Sequence, residues 1–312
     1  MRHTQNLEPM RCNLGSSFLC NNLSKTSALR RLSSQSFSRL ALILTRLALI
    51  LGFALATAGT VAAQVAPPVG PYGYVLNARF SHPGLAGGVA LLGLMTFDGA
   101  GNVSGPFNLE FGSGGLGQPA SVTGSLTGTY TSNPDGTGTM TVVLVDVNNV
   151  TLINATLAMV IDDRSREIQL AVTGCTGAIC DLTGSVVSGV AEIASSHPVR
   201  LGFLNGSYGL QLTKSSPTPA TSLEVWTFDG AGGVTLSGTF VGPGPVVQSG
   251  TQFGTYSLNP DGSGTGTITI PPQNGSPGTH QFAFVITGHS GILVLQLHRA
   301  GDGVLYGAGQ LQ

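Results

Sequence analysis

Aspartate is the residue of this chain best suited to metal chemistry, and it recurs at four glycine-rich sites. Each site has the pattern Asp-Gly-x-Gly, and the four aspartates are Asp98, Asp135, Asp229 and Asp261. A calcium site needs about six to eight oxygen ligands, usually with several carboxylates, whereas each of these sites offers one. Asp-Gly is also a common pair in reversing turns. We therefore interpret the four sites as turns and expect neither a metal site nor a cofactor.

The histidines of the chain beyond residue 63 show no catalytic or metal-binding spacing. None of them pairs as H-x-H or H-x-x-x-H, and we interpret them as solvated loop residues: His82, His197, His280, His289 and His298. The G-x-S-x-G, HExxH, P-loop and Rossmann patterns are absent from suitable contexts. The sequence therefore assigns no catalytic residue and does not indicate an enzyme.

Carboxylates within predicted strands are the remaining candidates for acid–base chemistry, which needs a buried or paired acid. They are Glu110, Asp146, Glu192 and Glu224. Glu224 shares its strand parity with Trp226 and Phe228, which would place it inside a barrel, and its counterpart in the repeat described below is Gly93. The alternative is that Glu224 faces water and the residues between these positions face inward. We name Glu224 and Trp226 as candidate ligand-binding residues.

Residues 1–63 predict an export signal. Four arginines at positions 30 to 46 precede the apolar run 47–58, and a small-residue site, Val61-Ala62-Ala63, follows. This order is typical of a secretory signal peptide, and the run is shorter than the ~20 residues of a membrane span. We expect an exported protein, periplasmic or extracellular, that meets the membrane only through this signal.

Removal of residues 1–63 changes the charge and the cysteine count. Six basic and thirteen acidic side chains remain, a net charge of −7, and no basic cluster is left for nucleic acid. Cys175 and Cys180 also remain, in the segment TGCTGAIC. In an oxidising compartment two cysteines this close in one loop predict a disulfide.

An internal repeat dominates the rest of the chain. TFDGAG at 96–101 recurs at 227–232, and GTYTSNPDGTGT at 128–139 recurs as GTYSLNPDGSGT at 254–265. Both NPDG segments predict a type I turn closed by a glycine in the left-handed region. We divide the chain into the signal (1–63), a linker (64–70), β-unit 1 (71–195), a second linker (196–206) and β-unit 2 (207–312).

Each unit predicts about eight antiparallel strands. Period-two alternation places Tyr72 and Tyr74 on one face with Leu76, and we add these two tyrosines to the candidate ligand-binding residues. With 46 glycines, 9% charged residues and no amphipathic helix pattern after residue 63, the chain is all-β. Closing an eight-stranded meander removes its two edges. We predict two tandem eight-stranded barrels; the alternatives are two β-sandwiches or one shared sheet.

The repeated TFDGAG and GTYxxNPDGxGT elements resemble those of uncharacterised secreted bacterial β-repeat proteins. The resemblance spans most of residues 71–312 and implies a fold but no activity, because these elements form turns. At the level of fold the meander is similar to lipocalin-like (calycin) and allene-oxide-cyclase-like barrels.

Three functional hypotheses follow. The first is an exported, non-enzymatic barrel protein that binds a small apolar ligand or an envelope component, since eight-stranded barrels can hold one small ligand. The second is a structural or adhesive envelope protein with solid barrels. The third is an isomerase or cyclase that acts by shaping a cavity. A lined cavity favours the first and third hypotheses, and fully packed barrels favour the second.

Overall fold

The structure is a computed structural model that describes residues 64–79, 88–111, 120–162, 164–177, 180, 186–214, 220–242, 247–273, 276–288, 291–297 and 304–312. The predicted export signal, His82, His289 and His298 lie outside these residues. Within them no helix is long and apolar enough to cross a membrane. All of the described residues belong to one structural unit, which is described below.

The first barrel contains eight antiparallel strands in chain order. They are β1 (Val69–Arg79), β2 (Val89–Asp98), β3 (Asn102–Phe111), β4 (Ala120–Ser132), β5 (Thr137–Asp146), β6 (Thr151–Ile161), β7 (Glu167–Thr176) and β8 (Val186–Ile193). Each strand pairs with its neighbour, and β8 pairs with β1, so the sheet closes.

The second barrel repeats this topology. Its strands are β9 (Asn205–Lys214), β10 (Ala220–Asp229), β11 (Gly233–Val241), β12 (Val247–Leu258), β13 (Ser263–Gln273), β14 (Ser276–Thr287), β15 (Gly291–Leu297) and β16 (Leu305–Leu311). Pairing of β16 with β9 closes it. The prediction of two eight-stranded meander barrels is confirmed, and the sandwich and single-sheet alternatives are wrong because each sheet joins its own first and last strands.

The tight turns form as the sequence predicts. In both NPDG segments the glycine has a positive φ, 85° at Gly136 and 88° at Gly262. Its backbone N–H donates to the carbonyl of the turn's asparagine at 3.0 Å in each case. A residue with a Cβ is strained in this region, which is why the two copies share glycine there.

Each barrel is plugged at one end by the segment that precedes its first strand. Val65 donates a backbone hydrogen bond to Pro134, and Val199 donates the corresponding bond to Pro260. Beneath the plugs lie matching clusters of edge-to-face aromatic rings, Tyr72–Phe97–Tyr130 and Tyr208–Phe228–Tyr256. The predicted linkers therefore contribute to closing the barrels, and the cavity described below lies toward the opposite end of the first barrel.

A third apolar cluster lies between the two barrels. Its buried members come from the outer faces of strands in both barrels and from two short connecting segments: Val75, Ala90, Leu92, Leu94, Ala194, Ala283, Val285, Leu293, Leu295 and Val304. Strands β2 and β15 therefore bury one face inside their own barrel and the other against the second barrel. Burial on both faces explains why these strands are apolar at almost every position.

One glycine makes the closest approach between the barrels possible. A Cβ built on Gly73, on the outer face of β1, would lie 2.6 Å from Cγ1 of Val285 on β14. The valine side chain thus occupies the space that a larger residue at position 73 would need. Nearby, the backbone N–H of Gly288 donates to the carbonyl of Ile193 at 2.6 Å, and Ala194 forms a β-bridge with Thr287.

Candidate functional site

The carboxylates of the Asp-Gly sites are engaged by their own turns. Oδ1 of Asp98 accepts from the backbone N–H groups of Ala100 and Asn102 at 2.7 and 2.8 Å, and Asp229 makes the same pair of bonds. Hydrogen bonds to the charged form lower the pKa of Asp98. Among the described residues no group of three or more His, Cys, Asp or Glu side chains could hold a metal ion.

A cavity lies inside the first barrel, toward the end opposite the plug. It has a volume of about 80 Å³, and its walls are almost wholly apolar. The inner faces of most strands contribute, with Leu76 from β1, Leu91 and Met95 from β2, and Met140 from β5 among the lining residues. Apolar cavities of about 150 Å³ bind benzene or xenon, so this space is in the range of a very small apolar molecule.

The two candidate tyrosines face the interior of this barrel, as their parity predicts. Both belong to the inner core, with 1% of Tyr72 and none of Tyr74 exposed. The hydroxyl of Tyr72 donates to the carbonyl of Ser165, and burial, with Asp162 nearby, raises the pKa of Tyr72 to about 12. Within the described part of the chain the Tyr74 hydroxyl has no hydrogen-bond partner. Neither tyrosine lines the cavity, although Tyr74 lies two residues from Leu76, which does.

The predicted disulfide links Cys175 and Cys180, with a Cα–Cα distance of 6.0 Å. Both cysteines line the cavity of the first barrel. The bridge therefore ties the end of β7 to the following residues beside the apolar space.

Glu224 and Trp226 lie on the inner face of β10 in the second barrel. Nε1 of Trp226 donates to Oε2 of Glu224 at 2.6 Å, and the hydroxyl of Ser222 donates to Oε1. A Cβ on Gly238 of the adjacent strand would lie 2.7 Å from Cγ of Glu224, so the absence of a side chain there makes room for the glutamate. The indole of Trp226 packs edge-on against Phe282 at 4.8 Å between ring centroids.

The inner faces of the two barrels differ in polarity at corresponding strand positions. Five apolar positions in the first barrel carry polar residues in the second: Ala78 corresponds to Lys214, Leu91 to Ser222, Gly93 to Glu224, Ala155 to His280 and Val172 to Gln296. Lys214 and Gln296 are buried. The structure therefore adds inner residues that the sequence analysis missed, among them Lys214, His280 and Gln296. Their strand parity could have revealed them, because it is shared with Leu212, Phe282 and Val294 respectively.

The remaining candidate acids take three different positions. Asp146 accepts backbone hydrogen bonds from Asn148 and Val150 and stabilises a turn. Glu192 lies on the outer face of β8, where it pairs in register with Glu167 on β7 and Gly73 on β1. Glu110 is buried on the outer face of β3, and burial raises its pKa to about 7.

The interpretation of the histidines as solvated loop residues is wrong for His280. It lies within β14 and is half-buried, because it continues the alternation of Phe282 and Phe284 by one more inner position. His197 is exposed and contacts Ser196 in the connection between the barrels.

Comparison with known proteins identifies no family. No protein-family profile and no curated protein matches the chain. Among solved structures the chain is similar to the Myxococcus xanthus hemagglutinin in complex with a3,a6-mannopentaose, with 13% identity, 77% of this chain and 100% of that chain covered, and a TM-score of 0.14. A similarity at this TM-score supports no inference about fold or function.

Proposed function

We propose that this protein is an exported, non-enzymatic binding protein whose first barrel holds a small apolar molecule. The observation that carries the proposal is the apolar cavity of about 80 Å³ enclosed by the strands of that barrel. Burying apolar surface of a ligand there contributes roughly 25 cal/mol per Å². The cavity walls provide almost no hydrogen bonds to a polar ligand, so molecules of xenon to benzene size, or the end of an apolar chain, fit best.

The export signal and the disulfide support a location outside the cytoplasm. Cys175 and Cys180 are bonded, and disulfides persist mainly in oxidising compartments. Residues 1–63 carry the sequence pattern of a secretory signal. A ligand of this class would therefore be met in the periplasm or outside the cell.

A cavity-filling variant tests the proposal. In Ala155→Leu the three added carbon atoms project into the cavity, because Ala155 lines it. For the unaltered protein, xenon, benzene or a short alkane at a hundred times its Kd should raise the free energy of unfolding by about 2.7 kcal/mol. Ala155→Leu should show no such increase in thermal or urea unfolding.

The matched control is Ala308→Leu, which adds the same atoms at an exposed position of the second barrel. This variant should respond to the ligand like the unaltered protein. If Ala155→Leu responds as strongly, binding occurs elsewhere and the proposal is wrong. If no apolar compound stabilises the unaltered protein, the structural role with solid barrels is favoured instead.

The second barrel supports a second candidate function, the binding of a small polar molecule. The observation that favours it is the replacement of five apolar inner positions by Lys214, Ser222, Glu224, His280 and Gln296. Glu224 is half-buried and already accepts bonds from Ser222 and Trp226, which fixes its carboxylate in place. Trp226 is the only tryptophan of the chain, so its fluorescence would report a small polar ligand bound beside Glu224.

A further inference from the structure

The contact between the two barrels joins different faces of the repeated unit. The first barrel contributes the outer face of β1 and β2, which we call the notch face because Gly73 leaves a gap there. The second barrel contributes the outer face of β14 and β15, which we call the knob face because Val285 fills that gap. Such a contact is heterologous, and a heterologous contact leaves one copy of each face unused.

The unused faces can be located from the repeat. The unused knob face is the outer face of β6 and β7 on the first barrel, where Val160 corresponds to Val285 and Ala158 to Ala283. The unused notch face is the outer face of β9 and β10 on the second barrel, where Gly209 corresponds to Gly73.

The central features of both faces are retained, although none of the residues that the structure describes covers them fully. Val160 is 55% exposed on the free knob face, and Leu223, the counterpart of Leu92, is 60% exposed on the free notch face. A surface groove of about 550 Å³ runs beside Gly209 and Leu223. The valine of the free knob face is therefore on the first barrel, and the glycine of the free notch face, with its adjoining groove, is on the second.

The surroundings of these central residues are more polar than in the internal contact. Gln211 replaces Val75, Thr221 replaces Ala90 and Gln169 replaces Leu293. Asp162 corresponds to the buried Thr287. An apolar centre with a polar rim is the usual anatomy of a non-obligate interface, so these substitutions weaken the contact without removing its centre.

Gln312 covers the free notch. Nε2 of Gln312 lies 2.8 Å from the position that a Cβ on Gly209 would occupy. The backbone N–H of Gln312 donates to the carbonyl of Ser207 at 2.9 Å. The amide side chain therefore occupies the space that Val285 occupies at Gly73. A single polar side chain is easier to displace than a strand.

We propose that a second copy of this chain docks head-to-tail on the first, with Val160 of one copy entering the notch at Gly209 of the next and displacing the Gln312 side chain. The docking repeats the internal contact between the barrels, is independent of the ligand site, and is reversible because its rim is polar. It is opposed by the net charge of −7 that residues 64–312 of each copy carry, so salt should strengthen it.

Sedimentation velocity of the purified protein over a range of concentrations tests this proposal. The sedimentation coefficient should rise with concentration, and more so in 0.5 M than in 0.05 M salt. Gln312→Gly uncovers the notch and should strengthen association at least fivefold. Val160→Asp and Gly209→Val should each weaken it at least tenfold, because one charges the knob and the other fills the notch.

The matched control is Val186→Asp, since Val186 is also an exposed valine of the first barrel, on β8 outside the knob face. It should associate like the unaltered protein. Equal weakening by Val186→Asp would show a non-specific charge effect and overturn the proposal. A constant sedimentation coefficient for both the unaltered protein and Gln312→Gly would also overturn it.

Discussion

Replacing Val285 by aspartate should separate the two barrels without unfolding the interior of either one. Val285 is 1% exposed and lies on the outer face of β14, with Cγ1 against Gly73. A carboxylate at this position would be buried among the apolar side chains of the cluster between the barrels. Burying an unpaired charge there should lower the free energy of unfolding by about 4 kcal/mol at pH 7.

Differential scanning calorimetry provides the measurement. We expect the two barrels of the unaltered protein to unfold in one coupled transition. The Val285→Asp variant should show two separate transitions, the first with a lower midpoint temperature. The control is Val160→Asp in dilute protein, because Val160 is the counterpart of Val285 but is 55% exposed. Surface substitutions usually change stability by about 0.5 kcal/mol or less. Equal stability of the two variants would contradict the packing of the barrels described above.

Replacing Glu110 by glutamine should raise stability at alkaline pH and remove a pH dependence. Glu110 is 4% exposed, and within the described residues its Oε1 has no hydrogen-bond partner. Its register neighbours, Ala90 on β2 and Ser121 on β4, carry no charge. Burial raises the pKa of Glu110 from 4.5 to about 7, and a hydrogen bond with Ser121 opposes this rise.

The sign of the effect follows from proton binding. Between pH 4.5 and pH 7 the folded protein keeps a proton on Glu110 that the unfolded chain has lost. Stability therefore falls as pH rises through this window and stays lower above pH 7. A shift of this size corresponds to at most roughly 3 kcal/mol, which Glu110→Gln should recover at pH 8.

Urea unfolding at pH 5, 6, 7 and 8 measures this difference. The curves of the unaltered protein and Glu110→Gln should diverge as pH rises, whereas Glu167→Gln, at an exposed position, should follow the unaltered protein. A Glu110→Gln variant that is less stable at pH 8 would show that the carboxylate has a favourable partner and would contradict the account.

The strands and turns could be predicted because local sequence determines them. Period-two alternation identified the inner face of β1 from Tyr72, Tyr74 and Leu76, and NPDG fixed two turns whose glycines have positive φ. Parity also placed Glu224 beside Trp226, which the hydrogen bond between them matches. Closure into barrels followed from the strand number, because an open meander leaves unpaired edges.

The contact between the barrels could not be predicted from local pattern. Apolar residues on both faces of β2 and β15 indicate that both faces are buried, but not against which partner. The fit of Val285 to Gly73 depends on how two closed barrels approach. The cavity was equally inaccessible, because its 80 Å³ is what the inner side chains leave unfilled, and no single residue encodes that volume.

A difference in turn length also limited the alignment of the repeats. An alignment of the two repeats without a gap matches Ile168 to Leu293. The side chain of Leu293, however, is on the outer face of the second barrel. In the structure Ile168 pairs with Ile161 as Ile292 pairs with Ile286, so the hairpin between β14 and β15 is one residue shorter. A one-residue slip moves every following side chain to the other face, so an ungapped alignment does not match Gln296 to its inner counterpart, Val172.

The methionine methyl groups offer the most direct test of the central claim that the first barrel holds a small apolar molecule. Three methionines lie beyond residue 63: Met95 and Met140 line the cavity, whereas Met159 belongs to the same core without lining it. In a methyl-labelled NMR titration with benzene or xenon, we predict saturable shifts at Met95 and Met140 and little change at Met159. Unchanged Met95 and Met140 signals at saturating ligand would contradict the claim.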